Sequence, residues 1–507
     1  MGDNLVGAIT TIGNATVIGS NFVNNSGRWG GAISATGAEL RKNSSTLTVS
    51  NTIFKDNSAL YAGAVYIWGS NYNIADCVFD NNTAFGKGNM TPNNNGGALV
   101  VSQVSRFNEP ITGTISGSKF TNNKAQYGGA AYFNKGFVTI TDSVFENNVA
   151  TAEGGAVDFS HASVKDLVVS INNSSFVGNK APVAGAIFTN VDSKITNSNF
   201  INNSAAKIGG AICNVNDLTV ENSKFVNNTP QAIHNSKELH LGIETFTDLQ
   251  NAIDLVDGIL TLDSDIAMTD DEAAGFVGGV AINKDIVIDG KGHTIDAKNL
   301  GRIFEIDGGF AVTLTNVTLT NGNATVGGAI YNFGNLDLVY VNFVNNTAKY
   351  GGAIMNYAYG LVLDDSTFTN NTAKIGGAIY NSADCFVVGN STFANNTATS
   401  NGGVIFNYGI GFVVGNSTFV NNSAADGAGA IMNGGRGFVV GNSTFANNTA
   451  TSKGGAIYNY GIGFVVGNST FANNTAEDAG AVYNEGDNSV VGNSTFANNT
   501  AEDAGAV

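Results

Sequence analysis

A phenylalanine followed by asparagine-rich residues returns along this chain at a nearly fixed interval, and that interval limits the fold more than any other feature. It reads FVNN at Phe22, FKDN at Phe54, FDNN at Phe79, FTNN at Phe120, FENN at Phe145, FVGN at Phe176, FINN at Phe200 and FVNN at Phe225. After a gap Leu319 takes the same place, followed by Phe343, Phe368, Phe393, Phe419, Phe445, Phe471 and Phe496. The spacings in this second series are 24, 25, 25, 26, 26, 26 and 25 residues. About nine residues after each phenylalanine comes a GGAI-like element, as at 30–33, 209–212, 327–330 and 376–379. A period near 25, with short β-branched runs and Asn/Gly corners, predicts stacked coils of strand rather than helical repeats.

The columns of the repeat say which way side chains point. Five residues before the phenylalanine stands Val, Ile or Leu (Val17, Ile74, Ile140, Val220, Leu363, Val440), and two before it a small residue (Ser20, Thr52, Cys77, Ser118, Ser143, Ser391). With the phenylalanine these columns form an inward face. Three before it the residue is Asn, Asp or Gly, as at Asn51, Asp76, Gly117, Asp142, Asn197 and Asn390, types that tolerate the left-handed region and so mark a tight corner. The coil is therefore expected to have three strands: GGAIY, a strand like FVV, and after the corner STF. Asparagines three residues after the phenylalanine (Asn25, Asn57, Asn123, Asn148, Asn346, Asn396, Asn499) should stack into an amide ladder.

The rhythm breaks between residues 229 and 318. TFTDLQNAIDLVDG reads as a short amphipathic helix at about 245–258, with Thr247 and Gln250 as a capping box and Gly258 as its stop. Such a helix would cover an open solenoid end. The expected division is a first block at 1–240, eight coils with loop insertions, and a second at 241–507 that begins with this cap.

Charged residues make up only 12% of the chain, with hydrophobic residues at 43% and four prolines, which excludes a charge-driven disordered chain and proline-rich linkers. A net charge of −17 argues against nucleic-acid binding, and no apolar run is long enough for a membrane helix. Val507 falls inside a repeat, so a piece of a longer protein is expected, with targeting and anchoring segments outside it.

The paired GGAI and FxxN motifs resemble the repeats of chlamydial polymorphic membrane proteins, whose passenger regions are right-handed parallel β-helices. FTDLQNAI, IDGKGHTIDA, RIFEI and GGAIYN together look still more like adhesin-like surface proteins of methanogenic archaea. The resemblance implies an all-β, right-handed parallel β-helix of about 25 residues per coil. It also implies a non-enzymatic, extracellular, cell-surface adhesin-like scaffold that attaches to glycans or other cells' surface proteins and is expected to be a monomer. A polysaccharide lyase or hydrolase on the same scaffold is the rival of another class, and a structural surface spacer is a third reading. Polygalacturonase-like motifs are not found in register, and the three cysteines sit in different columns.

Three candidate sites follow. The residue after GGAI is often aromatic, as at Tyr331, Tyr380 and Tyr458. Tolerance of Ser34 and Asp158 in that column predicts an outward-facing stripe for sugars or partners, or rings that merely stack on one another. Insertions in the first block, at about 35–45, 102–111 and 160–166, carry Arg41, Lys42, Arg106, Phe107, His161 and Lys165, a candidate patch for an anionic glycan or acidic partner. Glu477 and Asp478 recur 25 residues later as Glu502 and Asp503, and stacked hard oxygen ligands of that kind suit Ca²⁺, the one cofactor considered. Exposed corner asparagines such as Asn390 and Asn442 also fall in N-x-S/T sequons, which the repeat creates automatically.

Overall fold

The computed structural model describes residues 7–37, 45–85, 95–103, 110–160, 167–236 and 239–502. Its contacts divide the chain into two units, residues 1–242 and 243–507, each a β-solenoid in which all strand pairings described are parallel. Among the described residues no helix is long and apolar enough to cross a membrane.

In the first unit each motif builds its own sheet. Nine GGAI-type strands run from Ile9–Ile12 to Ile233–Asn235, nine aliphatic strands from Ala15–Ile18 to Leu239–His240, and eight phenylalanine strands from Asn21–Val23 to Lys224–Val226. The structure adds a fourth strand to the expected three. It follows the ladder asparagine and is two to five residues long, as in Thr83–Ala84 and Ser204–Ile208. In the second unit the aliphatic and phenylalanine strands merge into one sheet of eighteen, the corner being absorbed within long strands such as Ala311–Thr320. The corner asparagines do lie in the left-handed region, with φ of 49° at Asn51 and 45° at Asn390.

Identical coils in register place identical side chains one strand spacing apart. The motif phenylalanines form a continuous stack inside each unit, with centroids 4.5–5.1 Å apart and ring planes within 15°. A second stack, Phe386–Phe412–Phe438–Phe464, runs beside it. The expected ladder is present in full. Asn57 Nδ2 donates to Asn82 Oδ1 at 3.0 Å and to the Phe22 carbonyl at 2.9 Å, and the pattern repeats to Asn499. These amides are buried and fully used, so they lock register rather than bind a ligand. The glycine pairs are required by close approach: a Cβ on Gly377 would lie 2.1 Å from the Gly403 carbonyl oxygen.

Helix α1, Phe246–Leu255, opens the second unit and buries Phe246, Leu249, Ala252 and Ile253. Its caps differ from expectation. Thr245 is the N-cap and Asp248 completes the capping box, because Thr247 already lies inside the first turn. Gln250 instead meets the edge strand Val280–Ile282, exchanging two hydrogen bonds with Ala281 at 2.7 and 3.1 Å. Val256 caps the C-terminus, and Gly258 starts the next strand at φ 91°. Lys284 Nζ reaches the terminal carbonyls of Ile253, Asp254 and Val256 at 3.0–3.4 Å.

Candidate functional site: an aromatic ridge

Strand alternation turns Tyr380 away from the core, since Ile379 and Asn381 on either side are fully buried. The column is nevertheless not the open stripe expected. Tyr331, Tyr380 and Tyr458 are half-buried, Met355 and Phe406 are buried, and Ser34 and Asp158 are buried outright, which corrects the inference drawn from them. The reason is that neighbours on both sides fold over the column. Tyr350, at the end of the fourth strand, sets its ring against Tyr380 at 5.8 Å, and Tyr408 closes from the other side at 6.3 Å. Tyr380 and Phe406 also stack at 5.1 Å.

The exposed aromatics lie one turn further on. Each GGAI-type strand of the second unit from Ile330–Asn332 onwards ends in asparagine, and these residues form a second amide ladder that the sequence reading missed. Asn407 Nδ2 donates to Asn433 Oδ1 at 2.7 Å and to the Gly409 carbonyl at 2.8 Å, while the Gly409 amide returns a bond to Asn407 Oδ1 at 3.2 Å. The asparagine thus closes a tight turn and the residue after it projects outwards. That position holds Phe333, Tyr357, Tyr408 and Tyr460, and two residues later stand Tyr359, Ile410 and Ile462. Tyr359 is 67% exposed, Tyr408 51% and Tyr357 49%, a row of apolar surface along one side of this unit. The signal was in the sequence as the recurring NYG, next to the column that was read.

Charges line the ridge. Arg302 places its guanidinium 4.9 Å from the centre of the Tyr331 ring and 3.0 Å from Glu305. Lys453 lies 4.6 Å over Tyr483, 5.4 Å over Tyr458, and 2.8 Å from Glu485 Oε1. The Tyr458 hydroxyl donates to Glu485 Oε2 at 2.8 Å, and burial, then this carboxylate, push its phenol up to about 12. Such a surface can stack on flat apolar faces and hydrogen-bond at its margins.

The other candidates are less developed. Arg41, Lys42, Arg106, Phe107, His161, Lys165 and Asp503 lie outside the described residues. The backbones of Glu477 and Glu502 pair across neighbouring coils, the Glu502 amide donating to the Glu477 carbonyl at 3.0 Å. Among the described residues no three His, Cys, Asp or Glu side chains converge as a metal site. All three cysteines are free, Cys77 and Cys213 buried and Cys385 with its Sγ 3.1 Å from the Tyr359 hydroxyl.

Four stretches, 197–215, 365–382, 390–408 and 442–460, match the Chlamydia polymorphic membrane protein repeat. Each runs from a corner through the phenylalanine strand into a GGAI-type strand, and in the last three that strand lies in the second unit and leads to the ridge. The chain is also 34% identical over 143 residues to the metabotropic glutamate receptor-like protein R of Dictyostelium discoideum. That match covers 28% of this chain and 8% of the relative's length.

Proposed function

We propose that the chain is a non-enzymatic, adhesin-like scaffold of the cell surface, and that its second unit attaches to glycans or to a partner's surface through the aromatic ridge. One observation carries the reading: aromatic side chains that could have been buried are held at the surface, at a fixed place in several coils of the second unit with Ser382 and Gly434 between them, by turns whose asparagines are locked in a ladder. Rings on such a rigid support lose little entropy on contact, which is what a binding surface needs. The repeat matches support the same reading, since the surface role belongs to the proteins that share the repeat.

The test is retention of the protein on immobilised polysaccharides and on whole cells, with Tyr357, Tyr359 and Tyr408 changed together to Ser. Loss of retention with an unchanged melting temperature is the expected result. Retention that survives the triple variant removes the ridge as the contact surface. Release of unsaturated or reducing sugar ends from a panel of pectins and other polyuronates would favour the enzyme reading instead. Failure to retain on any surface would leave the chain as a spacer.

A further inference from the structure

At the corner between the aliphatic and phenylalanine strands, the coils from Gly19 to Asn493 carry Asn, Asp or Gly, with two exceptions, Lys291 at φ 48° and a tyrosine. Tyr340 holds the same left-handed backbone, at φ 57°, between Asn316 at φ 50° in the coil before and Asp365 at φ 47° in the coil after. A bulky side chain is strained there, and nothing in the packing demands it, because Tyr340 is 55% exposed. The ring borders an open pocket of about 470 Å³ whose other walls are Lys291, Gly292, Asn316, Val317, Thr318 and Asn342.

The lining is mixed in a particular way. Tyr340 offers a flat face, and Asn316, Thr318 and Asn342 offer amide and hydroxyl groups. Asn342 is itself fixed between neighbouring coils, donating to the Thr318 hydroxyl at 3.3 Å and accepting from Thr367 at 2.6 Å. The one cation, Lys291, is paired with Asp289 at 3.2 Å, so the pocket carries no net charge to attract a polyanion, and the chain as a whole is acidic. A flat apolar face ringed by hydroxyl- and amide-type partners matches the surface of an uncharged pyranose ring. We propose that this pocket is a saccharide-binding site for an uncharged hexopyranose unit, stacked on Tyr340 and hydrogen-bonded by Asn316, Thr318, Asn342 and Lys291. It is a different surface from the aromatic ridge, and stands or falls separately.

The experiment uses the whole chain and four probes: cellotetraose, N-acetylchitotetraose, mannotetraose and galactotetraose, followed by saturation-transfer NMR and calorimetry. At least one should bind with a dissociation constant of roughly 1 mM or tighter. Tyr340→Phe should keep that binding. Tyr340→Asn should lose it by about tenfold or more, equivalent to one step of the affinity scale, while the melting temperature rises because Asn relaxes the corner. Tyr408→Ser, on the ridge, should leave pocket binding unchanged. If none of the four tetrasaccharides binds up to about tenfold that concentration, or if Tyr340→Asn binds as the parent does, the pocket is not a saccharide site.

Discussion

The ring of Tyr460 lies across Gly434 of the preceding coil, so that a Cβ on the glycine would fall 2.5 Å from its Cε2, Cζ and hydroxyl oxygen. The phenol is pushed well up by burial and then by the Tyr408 hydroxyl, which lies one coil beyond the glycine. Two ridge tyrosines are thus tied over a position kept empty for them. Gly434→Ala should push the Tyr460 ring outwards and break this tie. The obstacle is the end of a side chain, not backbone, so the stability cost should stay near 1 kcal/mol. Equilibrium unfolding would read the cost, and retention on a ridge ligand would read the altered surface.

Two adjacent asparagines should respond very differently to the same change. Asn396 is buried, accepts from the backbone and side chain of Asn371 at 3.0 Å, and donates to Phe368 O and Asn422 Oδ1. Asn396→Ala leaves several of these groups buried and unpaired, at about 3 kcal/mol. Asn395 is an exposed corner at φ 56°, and Asn395→Ala should cost about 1 kcal/mol through the left-handed backbone alone. Urea midpoints of the two variants, measured side by side, check the difference.

Asp158 gives a pH dependence with a definite sign. The residue is fully buried, and neither carboxylate oxygen has a hydrogen-bond partner among the described residues. Burial pushes the carboxyl well above its ordinary value; the Ser160 hydroxyl and amide, close by but outside hydrogen-bond geometry, pull it back only in part, and the Glu153 charge raises it further. Its contribution to stability is therefore fully present below about pH 4, the unfolded value, and is lost as pH rises towards the folded value, about 1.4 kcal/mol per unit of difference. Asp158→Asn should be near neutral at pH 4 and stabilising at pH 8, seen as a melting temperature that falls less with pH than the parent's.

The pair Lys453–Glu485 should matter little to stability. Both side chains remain open to water, at 31% and 42% exposure, so solvent screens the pair. The lysine and then the Tyr458 hydroxyl hold the Glu485 carboxyl below its usual range, so any stabilisation exists above that range and is lost on acidification. Glu485→Gln should change stability by no more than about 0.5 kcal/mol at neutral pH, and less in high salt. A thermal melt in low and high salt is sufficient to read it.

The fold was legible because every coil repeats the same inward columns, and alternation turns Phe, Ser and Val at fixed offsets into a buried face. The fourth strand was not, since pieces such as Ser58–Ala59 are too short to carry a period. The ladder at Asn396 was visible through its phenylalanine, whereas the one at Asn407 needed the turn geometry to give it meaning. The burial of Tyr380 could not be read from its own column, because Tyr350 and Tyr408, on other columns, produce it. The helix was found but its first turn was placed two residues late, since both Thr245 and Thr247 stand three residues before a polar partner.

Near-identity of successive coils makes the length of the second unit adjustable in whole steps. Residues 390–415 and 442–467 differ only at Asn401 and Lys453, Val404 and Ala456, and Phe406 and Tyr458. Removing 416–441 would join Gly415 to Asn442 through the same local sequence that now precedes Asn416, and Asn396 would meet Asn448 in place of Asn422. Recombination between such segments can add or delete a rung without creating a foreign junction. It would also bring Tyr408 and Tyr460 onto neighbouring rungs. The spacing of the ridge, and whatever it grips, is therefore set by rung number, a quantity that can change in a single genetic event while the interior remains intact.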